Sequence, residues 1–187
     1  MTAMFTPHFS VRSLTYSETA EKNNLDNTPS LEVYKNLTKT AGLLERVRAY
    51  LSARAGKDVP INVHGYRCEA VERIVCVKDY ASWCEKHGKP MGETAWNEYF
   101  SHKAHPAGRA ADCTAPAFGT PEECVRAIAE SPELMSDIDQ IITEGDLHSP
   151  QGDTSAWFHI AWSESPRHMV MVAAFDKQGT PHYSVIS

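Results

Sequence analysis

The sequence predicts an α+β fold: an antiparallel sheet with helices packed on one side. Three observations carry this. A long stretch of apolar residues at spacings of three and four lies in the first third of the chain, from Leu31 to Leu51. Short apolar or alternating runs of strand length gather toward the C-terminal end. Helix-start signals fall mostly before those runs, the order expected when helices and sheet segregate.

The elements follow in order. Thr15 and Glu18 fit a capping box, which predicts a short helix from there. Thr28 followed by Pro29 is a second start signal. Beyond it, Leu31, Tyr34, Leu37, Ala41, Leu44, Val47 and Leu51 form one apolar face, a helix of about 25 residues ending at Gly56. Val59 to Val63 reads as a buried strand. Residues 68–104 lack a clean period; one or two helices are expected, over Val71–Asp79 and Ala81–His87, then a loop through Gly88, Pro90 and Gly92. Arg109–Thr114 should be a strand and Pro116–Thr120 a loop. Thr120, Pro121 and Glu123 make a strong helix start. Gln140–Thr143, Trp157–Ala161 and Met169–Ala174 read as strands. Asp176–Gly179 would turn the chain into a hairpin with His182–Ile186.

Composition narrows the function. At 187 residues the chain suits a single domain, residues 1–187, able to bury roughly 70% of its unfolded surface. Lys and Arg total 18 against 24 Asp and Glu, a net charge of −6, so no basic excess is available to track nucleic-acid phosphates. The longest apolar run, Met169–Phe175, is far short of the roughly 20 residues a membrane helix needs. The N-terminus has neither a basic nor an apolar segment of the secretory kind, so synthesis in the cytoplasm without a signal peptide is expected. The five cysteines are odd in number, and none forms a C-x-x-C pair, which predicts free thiols.

Of nine histidines, two stand in a pattern with chemical meaning. His105 and Asp112 are separated by Pro-Ala-Gly-Arg-Ala-Ala, so a loop histidine and a strand aspartate can converge, with Gly108 freeing the turn. His159 comes from another predicted strand. Two imidazoles and a carboxylate make a three-ligand set that leaves a fourth position open for water. The competing reading is a strand Asp bonded to nearby backbone and a core histidine.

Leu14–Ala20, Asn36-Leu37 leading to Leu44–Arg48, Gly65-Tyr66-Arg67, Ser101-x-x-x-His105-x-x-Gly108-x-Ala110-x-Asp112, Asp139–Glu144 and Trp157-x-His159 occur in this order. Together they resemble the zinc D-alanyl-D-alanine carboxypeptidase and L-alanyl-D-glutamate endopeptidase family, whose fold is shared with the hedgehog signalling domain. The phage and prophage branch is the most similar. The resemblance covers roughly residues 9–175, with one gap. It implies Zn2+ held by His105, Asp112 and His159, and hydrolysis of bacterial peptidoglycan stem peptides. It also implies action on the cell wall as an endolysin or virion component. It leaves carboxypeptidase and endopeptidase both open, and a monomer is expected.

Several roles follow from the resemblance and its departures. Many relatives carry the catalytic acid three residues before the last histidine; Ala156 stands there in this chain. Glu144 is then the expected general base, with Asp146 or Asp153 as substitutes. Arg67 would bind a substrate carboxylate or stabilise the oxyanion; on bare sequence a surface arginine paired with a nearby acid is the more common reading. His64, Ser101 and Trp157 are expected to contact substrate. His102 is an alternative ligand whose spacing to Asp112 does not fit. Residues 68–104, longer than in relatives and rich in aromatics, are expected to be an insert bordering the cleft. The alternatives to an enzyme are a zinc-containing binding module for cell wall or protein, as in hedgehog, and a virion structural protein.

Overall fold

The computed structural model describes residues 3–145, 156–175 and 181–186. Two short helices open the chain, α1 (Val11–Thr15) and α2 (Glu18–Lys22). The cap of α2 is Ser17, whose hydroxyl accepts from Ala20 N at 3.2 Å, not Thr15 as expected. The Thr15 hydroxyl instead donates back to Val11 O within α1. The long helix α3 (Leu31–Ala55) runs as its period predicts and ends at Gly56, which is left-handed at φ 64°. Its cap is Ser30 rather than Thr28, because Thr28 N is drawn into a turn by the Asp26 carboxylate.

The strand expected over Val59–Val63 is only β1 (Asn62–His64), a short edge strand; Val59 is fully buried but tied to α3 through Ser52. Residues 68–104 form three helices, α4 (Glu69–Val75), α5 (Val77–Lys86) and α6 (Glu93–Ser101), where one or two were expected. Helices α5 and α6 share a small aromatic core of Tyr80, Cys84, Ala95, Trp96 and Tyr99. Then come β2 (Ala110–Thr114), α7 (Pro121–Ala129), the single turn α8 (Pro132–Met135), β3 (Ile138–Gly145), β4 (Ala156–Trp162), β5 (Met169–Phe175) and β6 (Pro181–Val185). The capping box of α7 forms as predicted, with both reciprocal bonds between Thr120 and Glu123. The turn expected over Asp176–Gly179 lies outside the described residues.

The six strands form one sheet in the order β1-β2-β4-β3-β5-β6. The architecture is α+β, but the sheet is mixed: β3 and β5 are parallel. The reason is the route of the chain. Strand β4 runs back along β3 to its beginning, pairing Trp162 with Ile138. Residues 163–168 then round the start of β3, so β5 sets off in the direction of β3, with Met169 beside Gln140. Asp139 fixes this crossover by accepting from both the backbone N and the guanidinium of Arg167.

Alternation along the strands divides the sheet into two faces. Ala111, Cys113, Ile141, Phe158 and Ile160 bury one face against α3 and α7, forming the main core with Leu37, Leu44, Val47 and Ile128. The intervening residues point the other way. Helices α4–α6 stand across a cavity on that second side, so the helices are not confined to one side of the sheet as expected. Among the described residues, no helix is long and apolar enough to cross a membrane.

Candidate metal centre

The second face carries a row across four strands: His64 on β1, Asp112 on β2, His159 on β4 and Ile142 on β3 are successive register partners. Strand pairing alone therefore sets Asp112 beside His159. His105 reaches them from the turn before β2. That turn is pinned to α3 at two points: Asn36 Nδ2 donates to Ala107 O at 2.8 Å, and Thr40 Oγ1 donates to Gly108 O at 2.7 Å. Trp162 Nε1 in turn donates to Thr40 Oγ1. Gly108 sits at φ 68°, and a Cβ there would lie 2.8 Å from Val33 O, so only glycine lets the turn lie this close to the helix.

The three side chains converge. His105 Nε2 lies 3.2 Å from both Asp112 Oδ1 and His159 Nδ1, and His159 Nδ1 lies 3.1 Å from Asp112 Oδ1. The two histidines are buried and Asp112 is nearly so. A carbonyl can only accept, so the 2.7 Å contact from His105 Nδ1 to Gly65 O places the ring proton on Nδ1. Burial, helped by the nearby Arg67 cation, holds His105 below the ordinary imidazole range against the pull of Asp112, so the ring is neutral at pH 7. Its Nε2 then aims a lone pair at a carboxylate oxygen, an arrangement that a cation between them resolves. Two N or O ligands at about 2.0–2.1 Å from a tetrahedral zinc lie about 3.3 Å apart. The observed separations fit that requirement closely. His105, Asp112 and His159 thus form a buried group able to hold a metal ion.

Arg67 stands behind the triad. Its Nη1 donates to Asp112 Oδ2 at 2.9 Å and its Nε to Glu72 Oε1 at 3.2 Å. Burial works against the Asp112 charge, but the Arg67 cation that donates to it and the contact with His159 outweigh it and hold the carboxyl well below the usual range. Arg67 is positioned by a clasp: Asn27 Nδ2 donates to Thr15 O and Tyr66 O, and Asn27 Oδ1 accepts from Cys68 N at 2.7 Å. Gly65 packs so tightly on Leu14 that a Cβ would lie 2.7 Å from Leu14 O. Sequence reasoning missed Asn27 and Glu72. Asn27 stood beside a helix-start signal, and Glu72 looked like any acid on a short helix. Its buried place gives no local sign beyond its distance of five residues from Arg67.

The triad opens into a cavity of about 970 Å3. Glu144 and Trp157, register partners on β3 and β4, line it on the same face as His159. Trp157 Nε1 donates to Glu144 Oε2 at 2.9 Å. Burial raises the Glu144 carboxyl above its ordinary range and Asp112 adds to this, against His159, the Trp157 N–H and Arg67. Trp157 thus holds an acid as well as forming a wall. Met169, Met171, Phe175 and Tyr183 extend the cavity along β5 and β6, facing Ile74, Val75 and Val77 of the helical side. Trp83 and Tyr99 also line it, while Trp96 and Tyr80 belong to the local core.

Two expected contacts lie elsewhere. His64 shares the Asp112 row but is exposed on the edge strand and does not line the cavity. Ser101 is exposed and donates its hydroxyl to Glu98 O at the end of α6, so it too stands outside the cavity walls. His102 is exposed and lines the cavity without joining the triad. Asp146 and Asp153 lie outside the described residues. All five cysteines are free. A scan against protein-family models, a search of curated proteins and a search of solved structures each found no match to this chain.

Proposed function

We propose that this chain is a zinc-dependent peptidase that hydrolyses an amide bond in peptidoglycan stem peptides, acting on the bacterial cell wall as a phage lysin or virion component. The observation that carries the reading is the trio of donor atoms 3.1–3.2 Å apart, opening on a cavity that also holds a raised-pKa carboxyl. His105 Nε2, Asp112 Oδ1 and His159 Nδ1 would hold the ion. Bound there, zinc supplies Lewis acidity that acidifies water and polarises a carbonyl. The choice of peptidoglycan rests on the ordered motif resemblance of Gly65-Tyr66-Arg67, His105–Asp112 and Trp157-x-His159.

The chain's own groups divide the work. Glu144 takes a proton from the attacking water and returns it to the leaving amine. Its burial makes it a stronger base than an exposed carboxylate. The Trp157 N–H fixes Glu144 Oε2, which leaves Oε1 for the proton. Arg67 lines the cavity between Asp112 and Glu72, and its remaining guanidinium N–H groups would donate to the substrate's carboxylate or developing oxyanion. Met171, Phe175 and Val75 give the remainder of the cleft an apolar lining for the substrate.

Digestion of purified peptidoglycan with the Zn2+-loaded protein, followed by mass spectrometry of the released peptides, is the test. New amine and carboxyl termini at one stem-peptide amide are expected. Glu144→Gln should lower the rate by about 10²- to 10⁴-fold while zinc content and fold stay unchanged. Retention on peptidoglycan by both proteins with no fragment from either would replace the enzyme with a binding module. Absence of stoichiometric zinc would leave a structural protein.

A further inference from the structure

The buried acid Glu72 has no part in the chemistry described so far, although its carboxylate is only 1% exposed. One oxygen accepts from Arg67 Nε at 3.2 Å, and the other lies 2.7 Å from Cys76 Sγ. Arg67 bridges directly to Asp112 Oδ2. A single guanidinium therefore stands between a ligand carboxylate and a second, non-ligand carboxylate.

The charge count gives this arrangement a purpose. Asp112 and Arg67 alone sum to zero, and a divalent ion entering beside them would meet a fixed cation at close range in a poorly screened place. Glu72 compensates that cation. With it, the cluster of Asp112, Arg67 and Glu72 carries one net negative charge, and Arg67 can orient Asp112 without opposing the ion. The geometry points to Glu72 as the positioning residue of the metal centre, acting through Arg67 to keep Asp112 a strong ligand. This inference rests on the metal reading and adds a residue outside the ligand set. Groups of this kind, hydrogen-bonded behind a metal ligand, change metal affinity by about 10- to 100-fold when removed.

The test is Zn2+ titration of the full chain by competition with a chelator, for wild type, Glu72→Gln and the double variant Arg67→Gln/Glu72→Gln. Glu72→Gln keeps the shape and drops the charge, and it should bind Zn2+ about 10-fold or more weakly. The double variant removes the uncompensated cation along with the acid and should recover most of that loss. A merely structural role predicts the opposite, since a second buried change would weaken the site further. Wild-type affinity in Glu72→Gln, or a double variant weaker than the single, overturns the inference and leaves the metal centre standing. A wild-type chain that takes up no Zn2+ overturns both. If Glu72→Gln does not fold, the double variant decides alone. Affinity within about threefold of wild type supports the inference, and a loss of tenfold or more overturns it.

Discussion

The two faces of the sheet are built from alternate residues of the same strands and obey different rules. Phe158 is fully buried against α3 and α7, while its neighbour His159 turns to the other side and joins Asp112. Ile141 packs in the core, and Glu144, three residues on, lines the cavity. On the first face any well-fitting apolar side chain serves. On the second, the identity and angle of single polar atoms decide the outcome. Stability and chemistry are thus separated by one residue step, and each can be altered alone.

That separation can be tested from its strongest consequence downward. His159→Ala should abolish stoichiometric zinc uptake and turnover while leaving the urea midpoint of the metal-free protein close to wild type. A collapse of the fold would show the faces to be coupled. Phe158→Ala, one position away, should cost about 3–5 kcal/mol of stability, read from denaturant unfolding, with zinc stoichiometry retained in the folded fraction. Gly108→Ala should cost about 1–3 kcal/mol, because it meets Val33 O and requires a left-handed backbone. It should also weaken zinc binding, since the same turn carries His105.

The smallest effect is a pH dependence of the metal-free protein. His105 is held below its unfolded value, so between the two values the unfolded chain binds the proton and the native chain does not. Stability should then fall as pH drops below about 6.5, the unfolded imidazole value. His105→Gln should flatten that slope in thermal or urea unfolding measured from pH 7.5 to 5.5.

The sequence was most legible where a short-range physical rule decides. The period of Leu31–Ala55, the stop at Gly56 and the reciprocal bonds at Thr120 and Glu123 are all local, and each formed as predicted. His105, Asp112 and His159 were legible because one turn and one strand pairing suffice to bring them together. Helix α6 was not, since its cap is Gly92 with no side-chain bond and its apolar face is aromatic and short. The parallel pairing of β3 with β5 was hidden because direction depends on which edge the 163–168 loop reaches, and no residue in β5 records that. Ser101 and His64 were placed by neighbourhood in the sequence, yet a hydroxyl bonded within its own helix and an exposed imidazole on an outer strand both stand outside the cavity walls.

The crossover also makes one edge of β3 depend on a later segment of the chain. One edge of β3 is taken by β4, and the other stays bare until the chain has rounded residues 163–168 and delivered β5. A folding intermediate in which β4 has paired with β3 but β5 has not therefore displays an unpaired strand edge, the kind of margin on which chains stick to one another. Asp139 and Arg167 clamp the loop that brings β5 to that edge.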